Sequence, residues 1–243
     1  MQLADLDITE KPMEVGPTTH YIMGGIRVDA ETQASTVPGL FACGECAAGI
    51  NGANRLGGNS LSDLLVFGKR AGEYAAKFAR ENDFGAVLNE QIEEKARWAL
   101  KGFENTGGEN PFQIQSELQE MMQDLVGIVR TEEEMQRALE GIGRLRERRE
   151  NVSVTGNIDF NPGWHTSLDL HNLLNVSEAI TRAALERKES RGGQFREDYP
   201  EKNAEFGKVN FVIKKGDDGQ MQIRSVPIPE MPFELKQIIE EMG

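Results

Sequence analysis

The run Gly49-Ile50-Asn51-Gly52-Ala53-Asn54-Arg55-Leu56-Gly57-Gly58 feeds directly into a stretch without proline that begins Asn59-Ser60-Leu61-Ser62-Asp63 and continues to Glu81. A loop this rich in glycine that opens a long helix constrains the chain strongly. The backbone must turn tightly, and the first-turn N–H groups of the helix, which lack intrahelical partners, must face the loop. Those groups and the positive end of the helix dipole suit an anionic ligand. Arg55 carries a planar fork that matches both oxygens of a carboxylate; a surface salt bridge is the plainer alternative. The spacing predicts a helix from Asn59 or Ser60, with Ser60 and Asp63 in the form of a capping box. Gly68, Ala71, Gly72 and Ala75 form a small-residue stripe along it, expected to press closely on a neighbouring element.

Two further motifs precede this loop. In Thr18-Thr19-His20-Tyr21-Ile22-Met23-Gly24-Gly25, an imidazole stands beside a Gly-Gly pair, where backbone can lie close to a ligand; a structural histidine is the alternative. In Leu40-Phe41-Ala42-Cys43-Gly44-Glu45-Cys46-Ala47, a short apolar strand is expected to end at Glu45, a carboxylate placed where open α/β sheets bind ribose hydroxyls. Cys43 and Cys46 also have C-x-x-C spacing. A zinc site would need two more ligands, with only His20, His165 and His171 available, so two reduced, mostly buried thiols are expected and no metal.

Three regions follow from composition and periodicity. Residues 1–82 read as α/β, and the family resemblance given below implies that they are the second segment of an FAD-binding domain. Residues 83–190 read as an antiparallel helical bundle. Its stripes are Leu88, Ile92, Ala96, Ala99 and Phe103; Ile114, Leu118, Met121, Met122 and Leu125 after Asn110-Pro111; and Met135, Leu139, Ile142 and Leu145 after a Thr131/Glu134 capping box. After an irregular stretch reaching His165 come Leu170, Leu173, Leu174, Ile180 and Ala184. Residues 191–243 read as a small α+β tail. Its hairpin turns at Gly216-Asp217-Asp218-Gly219 and ends at Pro227, Pro229 and Pro232.

Lys and Arg number 27 against 40 Asp and Glu, a formal charge of -13, which opposes binding to nucleic acid or anionic lipid. Apolar stretches are interrupted well short of the roughly 20 residues a spanning helix needs. The acidic start MQLADLDITEKP has no basic segment followed by an apolar block, so an intracellular chain is expected. Signatures of hydrolytic catalysis such as G-x-S-x-G and H-E-x-x-H are absent, as is a phosphate-binding G-x-G-x-x-G after a strand.

The motifs HYIMGG, VPGLFACGECA and GANRLGGNSLSDLLVFG, followed by DLVGIVRTEEEM, FNPGWH, ESRGG and REDYPE, resemble the flavoprotein subunit of succinate dehydrogenase and fumarate reductase. The likeness spans nearly the whole chain but lacks the ADP-binding strand-turn-helix and the capping domain of that family. The chain is therefore expected to be its C-terminal part, arising from gene truncation, a cloned domain or a split reading frame. The resemblance implies an FAD enzyme that interconverts succinate and fumarate by hydride transfer. His20 and Arg55 would bind the substrate, and Tyr21, Glu45, Asn59, Ser60 and Leu61 the cofactor. It further implies that the proton-transferring arginine lies in the capping domain, so that no catalytic residue is expected here and the isolated chain is inactive. Partners implied are the missing N-terminal part and an iron–sulfur subunit, with a cytoplasmic position peripheral to the inner face of the cell membrane through partner subunits. Family members often carry histidine where this chain has Asn51 and Gln194, amides that cannot titrate near neutral pH. L-aspartate oxidase, a related FAD enzyme, usually reads Ala-Ser-Asn-Ser where this chain has Gly57-Gly58-Asn59-Ser60, so GGNS and GWH favour the dehydrogenase and reductase side. A non-catalytic fragment that docks on an iron–sulfur subunit is the other alternative.

Overall fold

The computed structural model describes residues 6–16 and 19–242; Thr18 and residues 1–5 of the acidic start lie outside them. Three helices form the core: α3 (Pro111–Val126), α4 (Glu132–Arg149) and α5 (Pro162–Glu186). Each begins where its sequence supplies a cap. Asn110 accepts from Phe112 N with Pro111 in the first turn, and Thr131 accepts from Glu134 N while its hydroxyl donates to the Glu134 carboxylate at 2.8 Å. Asn161 accepts from Trp164 N, so α5 starts inside the stretch expected to be irregular. Asn-Pro at the cap and first position carries the same signal at both helices.

Arg148, late in α4, binds Glu109 just before α3 and Glu117 in its first half, and Leu145 packs with Leu170 and Leu174 of α5 while Ala138 packs with Ala184. Thus α4 runs antiparallel to both neighbours. Ile114, Leu118, Ile142, Leu170 and Leu174 are buried at the centre. Gly141 lets α3 approach, since a Cβ there would run into Met121 Sδ.

The first stripe behaves differently. α2 (Asn89–Glu104) forms where its periodicity predicts, yet Leu88, Ile92 and Ala96 are exposed. The helix docks only through its C-terminal half: Phe103 packs against the core, Trp164 Nε1 donates to Ala99 O at 2.7 Å, and Gly102 O accepts from Val154 N. Periodicity specifies an apolar face but not that a neighbour reaches all of it.

In residues 6–82 the expected strands shrink to isolated bridges, Ile26 with Ala47 and Ala34 with Phe41, because no second extended segment runs beside them among the described residues. The expected strand end is a 3-10 turn at Gly44–Cys46. α1 (Asn59–Glu81) starts at the predicted residue, but its cap is Gly58 in the left-handed region (φ 84°) and no side chain caps it. Asp63 is buried instead of completing a capping box with Ser60. Within the stripe only Ala71 is buried, and a Cβ at Gly68 or Gly72 would meet open space. The thiols also differ from expectation: Cys43 is half-buried and Cys46 exposed.

A knot of charge follows α5. Arg196, with no solvent exposure, donates to Ala184 O and Leu185 O at the end of the helix and pairs with Asp198 at 2.7 Å. Glu189, equally buried, binds Arg187 at 2.6 Å, Arg191 at 2.9 Å and Asn203 N at 2.8 Å. Next to it the short parallel pair β1 (Val129–Arg130) and β2 (Phe195–Arg196) joins the end of α3 to this knot. The tail hairpin β3 (Val209–Lys215) and β4 (Met221–Pro227) pairs Val209 with Pro227 and Lys215 with Met221, and α6 (Phe233–Met242) follows. No helix among the described residues is long and apolar enough to cross a membrane.

Ile142→Ala should cost about 2–5 kcal/mol in denaturant unfolding, whereas Ile92→Ala on the exposed face of α2 should stay within about 0.5 kcal/mol. Hydrogen bonds from Arg196 hold Asp198 below its ordinary value. Burial pushes Glu189 up, but Arg191, Asn203 and Arg187 outweigh it and lower it as well. Both carboxyls therefore contribute stability that is present above their unfolded values of about 4 and is lost as pH falls through the lower folded ones. Denaturant melts should be flat down to about pH 5 and weaken progressively below it.

Candidate functional site

The HYIMGG segment is fastened to the C-x-x-C turn by backbone. Ile26 N donates to Cys46 O at 2.7 Å and Ala48 N to Ile26 O at 2.9 Å. Gly25 (φ 136°) is required there, because a Cβ would run into the Cys46 carbonyl. One Glu45 oxygen accepts from Ile22 N at 3.0 Å, which ties the predicted cofactor carboxylate to the same segment.

These bonds set Tyr21 at the centre of the site. Its phenol donates to Asp63 Oδ2 at 3.2 Å, the Arg55 guanidinium carbon lies 4.8 Å from its ring centroid, and the His20 ring stands edge-on at 6.4 Å. The cation held over the ring face is attracted by the ring quadrupole. Burial pushes the Tyr21 phenol above its usual range, helped by its hydrogen bond to Asp63 and by the Asp63 and Glu45 charges, with Arg55 opposing. The phenol therefore acts as a neutral donor at pH 7.

Arg55 Nη1 donates to Leu56 O at 3.2 Å, while its Nε is buried without a hydrogen-bond partner among the described residues. A buried charged donor left open is costly. An anion placed against it would remove that cost. Asn59, Ser60 and Leu61 form the first turn of α1, where no side chain caps the N–H groups and a Cβ at Gly57 or Gly58 would meet open space. Asn59 N donates to Leu56 O at 3.2 Å, and the Ser60 and Leu61 N–H groups lie behind an open cradle at the positive end of the helix.

Two contributors escaped the sequence reading. Asp63 is the anchor of the site, accepting from Tyr21 and, at 3.4 Å, from Asn51 Nδ2; the signal was a carboxylate one turn into a helix with no lysine or arginine facing it. The other is the turn at Arg191–Gln194. Gly193 N donates to Ala53 O at 2.9 Å, and Gly192 (φ 60°) lies so close that a Cβ would meet the same carbonyl. Gln194 accepts from Arg130 and donates to Arg187 O at 2.9 Å. The tail therefore seats the loop that carries Arg55. Among the described residues, no three of His, Cys, Asp or Glu come together as metal ligands.

Residues 115–238 match the family described as fumarate reductase flavoprotein C-term, and residues 1–61 match an FAD binding domain. The chain belongs to the fumarate reductase and succinate dehydrogenase flavoprotein family. It is 40% identical over 215 residues to the fumarate reductase flavoprotein subunit of Escherichia coli, covering 85% of this chain and 35% of that protein. An uncharacterized FAD-dependent oxidoreductase of Methanocaldococcus jannaschii is 39% identical over 210 residues, with 86% and 37% covered. The solved apo Sdh1 complex of Mycobacterium smegmatis superposes with a TM-score of 0.87 at 47% identity, over 98% of this chain and 42% of that one. The chain thus spans well under half the length of these relatives. The family match divides at the site: the Arg55 loop and the start of α1 lie in the FAD-binding segment, and the turn that seats them lies in the C-terminal one.

Gly192→Ala should destabilise the chain by about 1–3 kcal/mol, through left-handed strain and the clash at Ala53. Hydrogen exchange should then rise selectively at residues 52–56; unchanged protection there would mean that the turn does not hold the loop.

Proposed function

We propose that this chain forms the substrate-side half of an FAD-dependent flavoprotein that interconverts succinate and fumarate. The observation that carries the reading is Arg55, stacked on Tyr21 with a buried, unpartnered Nε, in a glycine loop that opens onto the N-terminus of α1, which no side chain caps. A dicarboxylate supplies the missing acceptors, with one carboxylate on the Arg55 fork and the other within reach of His20. Holding both ends of the substrate fixes its carbon chain against the cofactor, and that positioning is itself a large part of catalysis.

FAD, when bound, supplies the two-electron chemistry by taking or giving a hydride. The residues present fit it. Glu45, with one oxygen on Ile22 N, would offer the other to a ribose hydroxyl, Tyr21 and Asn59 would help hold the flavin, and the N–H groups of Ser60 and Leu61 with the α1 dipole would favour negative charge on it. The family resemblance implies a proton-moving arginine outside these 243 residues, so we expect the chain alone to show no turnover. An iron–sulfur subunit is the proposed electron partner, and through it the flavoprotein sits peripherally at the inner face of the cell membrane.

A second reading, a docking fragment, draws on the exposed apolar side chains of α6, among them Phe233, Leu235, Ile238 and Ile239. The two separate in a titration of the purified chain with FAD, with and without fumarate, followed by flavin fluorescence and calorimetry. Saturable FAD binding tightened by fumarate is the expected result for a preformed half-site. No binding by a well-folded chain would leave only the docking role. In the complete flavoprotein, Arg55→Lys should lower succinate oxidation roughly 30- to 100-fold, because an ammonium cannot replace the two-pronged contact. Near-normal activity would remove Arg55 from the site.

A further inference from the structure

A recess that includes none of the residues around Arg55 lies between the C-terminal half of α2, the end of α4 and the first half of α5. It has a volume of about 270 Å³. Trp98, Leu168 and Val152 give it apolar walls, and Lys101, Arg146 and Arg149 reach it from two helices. In a chain of formal charge -13, this concentration of cations is unusual.

The groups in the recess are held in place by one another. Arg149 lies 5.9 Å from the Trp98 ring centroid, and His171 stands edge-on to the same ring at 6.1 Å. Arg146 donates to Asn175 Oδ1 at 3.1 Å, and Asn175 Nδ2 meets His171 Nε2 at 3.2 Å. Compensation is incomplete. Glu150 is shared between Lys101 at 2.7 Å and Arg149 at 2.8 Å, and Glu178 is shared between Arg146 and Arg182, each at 2.7 Å. The recess itself is lined by three cations, Lys101, Arg146 and Arg149, against one carboxylate, Glu150, with Glu178 and Arg182 outside it, and its apolar walls focus the excess positive potential. Burial, then Arg149 and Arg146, push the His171 imidazole below its ordinary range, with Lys215 adding to them and Glu150 opposing. His171 is accordingly neutral at pH 7 and reports on the local field.

We propose that this recess is a binding site for a small organic anion, whose planar apolar body lies against Trp98 and whose carboxylate or phosphate head meets Arg149, Lys101 and Arg146. Guanidinium forks suit either head. The exposed Trp98, 41% accessible, offers the flat apolar surface such a body needs. The size fits a compact ligand rather than a dinucleotide. The inference stands on α2, α4 and α5 alone and does not depend on the succinate and fumarate reading.

The test is a titration of the 243-residue chain with benzoate and, separately, phenyl phosphate at constant ionic strength, following the ring resonances of its three histidines by NMR. We expect a saturable shift of His171, and a rise in its pKa because a neighbouring anion favours the imidazolium, with His165 unmoved. A response to benzoate alone identifies a carboxylate head, to phenyl phosphate alone a phosphate head, and to both a site that accepts either. Arg149→Met should weaken binding roughly tenfold. Lys101→Met, which leaves the Arg149–Glu150 pair intact, should also weaken it and serves if the first variant does not fold. The proposal is overturned if His171 shows no saturable movement, if both variants bind as tightly as the parent chain, or if the only saturable shift is at His20.

Discussion

Arg196 has no solvent exposure, and its guanidinium is committed to the last carbonyls of α5 and to Asp198. A buried charge of this kind tolerates no loss of a partner; stripping one away typically costs about 3–5 kcal/mol. Around it, Glu189 gathers Arg187, Arg191 and the Asn203 N–H, and Arg130 closes the end of α3 by donating to Val126 O and Gly127 O. Ser190 completes the knot, its hydroxyl lying between Arg196 and Tyr199 backbone. Helix ends that would otherwise bury unpaired carbonyls are thereby satisfied.

The consequence reaches well beyond the bundle. The turn from Arg191 to Gln194 is anchored at Arg191 by Glu189 and at Gln194 by the carbonyls of Ala184 and Arg187, and from that footing Gly192 and Gly193 meet Ala53. The Arg55 loop has few apolar contacts of its own: Leu56 is exposed, and Gly49, Gly52 and Gly58 all take left-handed backbone. A loop with so little local packing needs an outside support to hold a guanidinium in register. The knot after α5 supplies that support from about 140 residues away in sequence.

The site itself depends on one buried carboxylate. Asp63 holds Tyr21 and Asn51, and Tyr21 in turn supports Arg55 on its ring face. The chain carries amides at Asn51 and Gln194, both engaged in this framework as hydrogen-bond links and neither able to carry a proton at neutral pH.

Much of the architecture was legible because it rests on local chemistry. Asn110-Pro111, Thr131 with Glu134, and the alternation on either side of Gly216–Gly219 each act within a few residues, and each forms where its pattern stands. The glycine loop and Arg55 were legible for the same reason. Ser60 and Asp63 show the limit, since the same four-residue pattern is satisfied by a distant tyrosine that competes for the carboxylate. The α2 stripe shows another: its period is right, but Leu88 and Ile92 find no surface. Sequence by itself therefore determined where α1 to α5 and the hairpin form, because caps, periodicity and turn residues are short-range. Only the tertiary structure decided that Asp63 anchors Tyr21, that Gly192 seats Ala53 and that Trp98, His171 and Arg149 share one recess. Those contacts join segments far apart in the chain, and their energies exist only once packing has brought the segments together.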